Sequence, residues 1–215
     1  MAGKAIHYFA SGNTSKGFFS FYDSCLDRLD CVYILYGFSG GADQTFLLKE
    51  VGKSWEEEGY AVEYLHHSLD SDMLEGVIAP ELKMGVIDGT APRTIFTKAP
   101  GAVEQFVHLG EAWDGEKLFP HKEEIITLTG EMRSFFHKAY ESFAAALKVH
   151  DEWEKIYIGS MDFDKANKLT EKLINSFYED KSLNKEGIVR HRFLGAATAK
   201  GAVDFIPNLT EGLEK

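Results

Sequence analysis

Hydrophobic positions near the start of the chain change from a strand-like run to a helix-like spacing across a short glycine-rich segment. Residues 31–36 read CVYILY, an apolar and largely β-branched or aromatic run that is typical of a buried strand. Glycines follow at positions 37, 40 and 41, and apolar residues then recur at helical spacing: Phe46, Leu47 and Val51. The pattern predicts a strand, a glycine loop and a helix that ends near Gly59.

Three further apolar runs predict strands at 5–10, 61–66 and 82–88. Because these strands alternate with helical patterns, we expect parallel βαβ units with helices on both faces of the sheet. Less regular stretches lie between them. We predict a turn at 11–16, a small helix at 18–29, a loop with a short helix at 68–80, and an irregular region at 90–120 with one helix at 103–109.

From Lys122 onward, apolar residues recur every three or four positions, which is typical of one face of a long helix. A second helix follows Asp162, a candidate N-cap. Together they predict a helical hairpin of about sixty residues, longer than a βα connection requires. We expect its aromatic stripe to lie in the core: Phe135, Phe136, Tyr140 and Phe143.

The end of the chain repeats its beginning. Residues 191–213 align with residues 7–29 without a gap, and seven of the twenty-three positions are identical. A match in one fixed register indicates a duplicated module. We expect a second strand and glycine loop to follow in a longer parent chain. Lys16 and Lys200 recur in the repeated turns, either as solvated side chains or as contacts to a phosphate held by a neighbouring module.

Composition narrows the choice of protein class. The 215 residues are 44% hydrophobic and 27% charged, as in an ordinary globular domain. A formal net charge of -11 disfavours nucleic acid and anionic membranes as partners. Two cysteines cannot form a disulfide framework, and no long apolar run suggests a signal peptide or membrane span. We therefore expect a cytoplasmic protein.

The glycine segment has the spacing of a phosphate-binding P-loop, GxxxxGK[ST], when the pattern starts at Gly37. Ala42 replaces its second glycine, Asp43 its lysine, and Gln44 its Ser or Thr. In an intact loop, backbone N–H groups and the lysine hold phosphate oxygens, while the hydroxyl binds Mg²⁺. Two interpretations remain: a βα turn without a ligand, or a weakened phosphate or sulfate site. The candidate nucleotide-binding residues are Gly37, Phe38, Ser39, Gly40, Gly41, Ala42, Asp43, Gln44 and Thr45.

Asp88 ends an apolar strand, as does the acid that holds Mg²⁺ indirectly in P-loop proteins. It is the candidate catalytic and metal-side residue. The alternative is a structural aspartate that caps the turn at Gly89 and Thr90. We find no nucleophile motif such as GxSxG or HExxH.

Two histidines lie at the end of the predicted strand at 61–66, at the edge where α/β sheets bind ligands. His66 and His67 could bind a metal with His108 or Asp70, or they could form an ordinary polar edge. Asp70 and the nearby Asp72 could contact a substrate or a base.

The chain resembles a bacterial family of two-module P-loop ATPase-like proteins of unknown function. The matching segments cover nearly the whole chain: the glycine loop, HYFASGNTSKGFFSFYDS, IAPELKMGVIDGTAP, APGAVEQFVHLGEAWD, HDEWEKIYI and HRFLGAATAKGAVDF. The resemblance implies a three-layer P-loop NTPase-like α/β domain with a mostly parallel sheet. We expect a core at 1–121 and 181–195, a helical insertion at 122–180, and a second, truncated repeat at 191–215.

For function, the resemblance and the altered loop favour different hypotheses. The loop favours a module with weak or absent nucleotide binding, acting as the regulatory or scaffold half of a two-module protein. The family favours an active ATP- or GTP-binding ATPase, or a kinase-type phosphotransferase. The only cofactors expected are ATP or GTP with Mg²⁺, bound weakly or not at all. The expected partner is a second P-loop module of the same parent chain, or another copy in a homo-oligomer.

Overall fold

The computed structural model describes residues 4–37, 42–91, 93, 95–179 and 186–211. The strands in these ranges are β1 (Ala5–Tyr8), β2 (Ser11–Thr14), β3 (Gly17–Ser20), β4 (Cys31–Tyr36), β5 (Val62–His66), β6 (Leu74–Ala79), β7 (Met84–Asp88), β8 (Glu104–His108), β9 (Gly195–Thr198) and β10 (Gly201–Asp204). The α-helices are α1 (Tyr22–Cys25), α2 (Ala42–Glu57), α3 (Gly115–Leu118), α4 (Lys122–Ser160), α5 (Phe163–Tyr178) and α6 (Ile206–Thr210). Two 3₁₀ turns are Leu109–Ala112 and Phe119–His121.

Six strands form one mostly parallel sheet in the order β1-β5-β6-β7-β4-β8. Strand β6 is antiparallel to both of its neighbours, whereas the other neighbouring strands are parallel. The fold is therefore α/β, as predicted, with one antiparallel strand in place of purely parallel βαβ units. The carboxyl ends of β1, β4, β5, β7 and β8 share one edge of the sheet, where α/β proteins place their ligands.

The two faces of the sheet are covered differently. Helix α2 packs on one face, where Leu48 is fully buried among Leu35, Val62 and Val77. Gly52 lets this helix approach closely, since a Cβ there would lie 2.5 Å from the ring of Tyr64. On the other face, Tyr22 of α1, Phe18 of β3 and Leu209 of α6 pack against the sheet, so the described helices on this face are short.

Three local predictions are wrong. The loop and short helix expected at 68–80 contain strand β6, and the helix expected at 103–109 is strand β8. The turn and helix expected at 11–29 are instead the β2–β3 hairpin followed by the four-residue α1. The predictions of β1, β4, α2, β5 and β7 are confirmed within a few residues.

The predicted long helices are present as α4 and α5, and the Asp162 side chain caps α5 by accepting a hydrogen bond from the Lys165 N–H at 3.0 Å. Their aromatic stripe, however, is not core. Phe135 is 66% exposed, and Tyr140, whose hydroxyl donates to Asn13 Oδ1 at 3.1 Å, is only partly buried against β2. No described helix combines the length and the apolar character that crossing a membrane would require.

The two copies of the repeated sequence have the same local structure. Strands β9 and β10 form a hairpin like β2 and β3, and α6 follows it as α1 follows the first. In each turn, the hydroxyl of the threonine that ends the first strand donates to a glycine carbonyl three residues later: Thr14 to Gly17 at 2.8 Å and Thr198 to Gly201 at 2.9 Å. The identical residues therefore preserve one hairpin design.

The copies also contact each other through equivalent positions. Phe9 and Phe193 exchange backbone hydrogen bonds of 3.2 and 2.9 Å. The His191 N–H donates to Ser24 Oγ at 2.7 Å, and the His7 N–H donates to Asn208 Oδ1 at 2.8 Å. Positions 24 and 208 correspond in the repeat, as do 7 and 191. The two copies are thus related by a local two-fold axis, like the halves of an isologous interface.

Candidate functional site

The strand and helix that frame the glycine loop are in the predicted places. Strand β4 ends at Tyr36, and α2 begins at Ala42. Gly37 has a φ of +92°, and a Cβ there would lie 2.7 Å from the Gly110 nitrogen, so only glycine fits. Four of the predicted phosphate-contacting residues, at positions 38–41, lie outside the described residues, as do the side chains of Ala42 and Asp43.

The next two candidate residues of α2 turn towards the protein. Thr45 is buried, and its hydroxyl accepts a hydrogen bond of 3.1 Å from the Leu74 N–H at the start of β6. Gln44 is 3% exposed, and its Nε2 has no hydrogen-bond partner among the described residues. Thr45 therefore fixes α2 to the sheet, and its position one residue late in the motif is explained by packing.

Asp88 lies at the carboxyl end of β7, as predicted, and is paired in register with Leu35 of β4. It is 2% exposed, and both of its oxygens have protein partners. Oδ1 accepts from the Thr90 N–H at 2.8 Å, and Oδ2 is 2.8 Å from the Arg93 guanidinium. The structural alternative for Asp88, a cap of the following turn, is therefore present.

Arg93 also contacts a second buried acid that the sequence did not single out. Its Nε lies 3.4 Å from Glu75 Oε2, which accepts a further hydrogen bond of 2.8 Å from the Ser11 hydroxyl. The other oxygen, Oε1, and the nearby Tyr22 hydroxyl are buried without a hydrogen-bond partner among the described residues. Arg93, Glu75, Asp88, Ser11 and Tyr22 form one buried polar cluster, which we call the Arg93 cluster.

Burial and charge act against each other in this cluster. Burial raises the pKa of Glu75, although the positive charge of Arg93 opposes the shift. For Arg93, burial alone would lower the pKa, but the carboxylates of Glu75 and Asp88 outweigh it and raise the pKa. Burial, followed by the negative charge of Glu75, raises the pKa of the Tyr22 hydroxyl well above its usual value. Arg93 therefore stays charged as the counter-ion of the cluster.

One signal in the sequence could have located the cluster. Glu75 interrupts an otherwise apolar run, LEGVIA, which spans the whole of β6. A carboxylate inside a fully buried strand requires a cation nearby. Arg93 is the closest arginine that follows it in the sequence.

The two strand-end histidines are engaged with the protein rather than with each other. His66 Nδ1 donates to the Ser71 carbonyl at 2.5 Å, so its Nε2 accepts from His7 Nδ1 at 2.9 Å. His67 Nδ1 accepts from the Leu69 N–H at 3.0 Å. Burial lowers the pKa of His66 to about 4, and burial together with the Arg93 charge lowers the pKa of His67 to about 4.

The metal hypothesis for these histidines finds no third ligand among the described residues. Among the described residues, one set of three possible metal ligands has its ligand atoms within 4.8 Å of one another. This set lies in α4 and consists of His150, Asp151 and Glu154. All three are exposed, and exposed acidic groups commonly lie together without an ion.

The two acids of the loop after β5 meet the repeated lysine. The Lys200 Nζ lies 2.6 Å from Asp70 Oδ1 and 2.5 Å from Asp72 Oδ2, and the Ala199 N–H donates to the Leu69 carbonyl at 2.9 Å. The tail thus contacts the loop beside the candidate site. In this structure Lys200 is an ion-pair partner and not a free cation.

The described residues do not fit a Mg²⁺–nucleotide site. Mg²⁺ is bound through carboxylates, hydroxyls and water, yet both Asp88 oxygens already have partners in Arg93 and Thr90, and the Thr45 hydroxyl accepts from the Leu74 N–H. Comparison with known protein families, curated proteins and solved structures finds no match to this chain.

Proposed function

We propose that this chain is a P-loop-like module that has lost Mg²⁺-nucleotide chemistry and acts as the regulatory or scaffold half of a two-module ATPase-like protein. The observation that carries the proposal is the 2.8 Å ion pair between Arg93 and Asp88. In an active P-loop protein, the equivalent acid must be available to the metal. In this chain Asp88 is instead paired with the guanidinium of Arg93.

The ion pair is not easily displaced. The side chains of Arg93 and Asp88 are 5% and 3% exposed, and breaking such a buried pair typically costs about 3 to 5 kcal/mol. A magnesium ion at Asp88 would have to compete with the Arg93 guanidinium, and its positive charge beside that guanidinium would be unfavourable. The charge that Mg²⁺ would bring is already present.

The first turn of α2 adds a second obstacle. Asp43 stands where an intact loop carries its lysine. One charge pair at 4 Å is worth about 4 kcal/mol at an effective dielectric constant of about 20. Replacing an attraction by a repulsion therefore weakens phosphate binding by several kcal/mol, or roughly a thousand-fold or more.

A scaffold role is supported by the contacts between the two copies of the repeat. The second copy binds the first through the Phe9 and Phe193 backbones and through His7 with Asn208. We propose that residues 191–215 open a second module, and that the sheet of the first module is the platform on which it is built.

Restoring the loop tests whether its frame is a latent nucleotide site. The variant Ala42→Gly/Asp43→Lys/Gln44→Ser is compared with a matched control, Ala42→Gly/Asp43→Asn/Gln44→Ser, which lacks only the lysine. We expect calorimetry to detect micromolar ATP binding by the lysine variant alone. Circular dichroism checks that both variants fold.

The role of Arg93 predicts a further property of the restored loop. Because Asp88 remains paired, ATP binding by the lysine variant should be nearly the same with Mg²⁺ and with EDTA. No binding by the lysine variant would refute the latent-site hypothesis. A strong requirement for Mg²⁺ would show that Arg93 does not block the metal position.

A further inference from the structure

The second half of α4 and the whole of α5, residues 145–178, form a segment that we call the distal arm. The structure describes all of it, and every side chain except that of Ala166 is exposed. Its exposed large hydrophobic side chains are Leu147, Val149, Trp153, Ile156, Tyr157, Ile158, Met161, Phe163, Leu169, Leu173, Ile174, Phe177 and Tyr178. The distal arm therefore presents thirteen large apolar side chains to solvent.

Such a surface is unusual for a monomer. The largest apolar patch of a soluble monomer is typically about 300 to 600 Å², and an isolated helix of about sixteen residues is marginally stable in water. Helix α5 is strongly amphipathic, since Leu173, Ile174 and Phe177 lie on one face and its lysines at 168 and 172 lie on the other. Its apolar stripe requires a partner.

We propose that the distal arm pairs with the distal arm of a second copy of this chain, with α5 of each copy lying along α4 of the other. The two parts of the arm match in length. Residues 145–160 and 163–178 each span about 24 Å at 1.5 Å per residue. A two-fold pairing would cover both apolar faces at once and produce a four-helix arrangement.

The area is sufficient for a stable dimer. Five of the thirteen side chains are aromatic, at positions 153, 157, 163, 177 and 178, and covering their exposed parts removes roughly 100 Å² each from water. The aliphatic side chains on the same faces, such as Val149, Ile156 and Leu173, bring the total towards the roughly 800 Å² per partner of a standard interface.

Electrostatics also permits a second copy at this place. The whole chain carries a formal charge of -11, which would oppose self-association on an average part of its surface. Residues 145–178, however, contain five lysines and six acidic residues and are nearly neutral. The apolar segment is thus also where two copies repel each other least.

The oligomeric state tests this proposal, independently of nucleotide binding. Sedimentation equilibrium of the wild-type chain at micromolar concentration should give twice the monomer mass. The variant Leu169→Glu/Leu173→Glu should be monomeric. The control Lys168→Gln/Lys172→Gln alters the net charge by the same amount on the opposite face of α5, and should remain dimeric.

Three outcomes would overturn the proposal. The first is a wild-type chain that stays monomeric across the micromolar range. The second is a dimer that survives the two glutamates, and the third is a dimer lost equally in the lysine control. Because the distal arm lies outside the α/β core, circular dichroism should show a folded core in all variants.

Discussion

At the carboxyl edge of the sheet, one arginine balances two buried carboxylates. Glu75 is fully buried and Asp88 nearly so, and the guanidinium of Arg93 reaches both. Desolvation of these groups is costly, and only mutual attraction and hydrogen bonds from Ser11 and Thr90 offset it. The cluster therefore links β6, β7 and Ser11 of β2, and both oxygens of Asp88 have protein partners.

Removing the positive charge of Arg93 should destabilise the folded chain. We predict that Arg93→Met lowers the free energy of unfolding by about 3 to 5 kcal/mol, because two carboxylates would remain buried without a counter-ion. Urea denaturation measures the change. The exposed Lys98, which pairs with Asp27, offers a control in Lys98→Met, and its midpoint should stay unchanged. A loss below about 1 kcal/mol in Arg93→Met would contradict the role of the cluster.

The two strand-end histidines predict a dependence of stability on pH. Both have a pKa of about 4 in the folded chain, against about 6.5 when unfolded. The unfolded chain therefore binds more protons between these values, and stability is lost as pH falls through this window. We expect urea denaturation to show a loss of about 1 to 2 kcal/mol per histidine between about pH 7 and about pH 5.

Replacing one histidine at a time separates the loss of stability due to the histidines from the loss due to protonation of other groups in the chain. The variant His67→Asn should lose less stability than the wild type over the same pH range, while His137→Asn, at an exposed site of α4, should behave like the wild type. Equal losses in all three proteins would contradict the assignment.

At the scale of elements, one buried acid of β5 adds side-chain contacts to the backbone hydrogen bonds that join the tail to the core. Glu63 accepts hydrogen bonds of 2.7 Å from both the Tyr8 hydroxyl and Arg190, and Arg192 stacks over the Tyr8 ring at 4.1 Å. Lys200 adds a more exposed contact at Asp70. The buried contact should dominate, since exposed ion pairs contribute little.

Hydrogen exchange can rank these two contacts. We predict that Glu63→Gln accelerates exchange of the His191 and Phe193 amides about ten-fold or more, because the charge that holds Arg190 is lost. Lys200→Met should leave exchange at these two amides unchanged. Faster exchange in Lys200→Met than in Glu63→Gln would show that the exposed Lys200–Asp70 ion pair, and not Glu63, holds the tail on the core.

The sequence predicted most of the elements that define the candidate site and missed those whose pattern depends on tertiary partners. Strand β4 and helix α2 have strong local patterns and were found, as was the acid at the end of β7. Strand β6 was missed because Glu75 breaks its apolar run, and its neutralisation by Arg93 is visible only in three dimensions. Strand β8 was missed because it is an edge strand whose Glu, Gln and His residues weaken the apolar signal.

At the scale of the whole molecule, two surfaces point to further protein contacts. The repeated hairpins are related by a local two-fold axis at Phe9 and Phe193, which supports a second module beside the first. The distal arm projects apolar helices beyond the core and supports pairing between copies. Both features are consistent with the proposed scaffold role, in which the chain binds other protein modules.

We propose above all that the frame of a phosphate loop survives in this chain without its phosphate-binding chemistry. Calorimetric titration of the unmodified chain with Mg-ATP and Mg-GTP tests it most directly. Asp43 in the loop and Arg93 on Asp88 predict no measurable binding of either nucleotide at concentrations where an active P-loop protein would be saturated. Binding with a micromolar dissociation constant by the unmodified chain would contradict the claim.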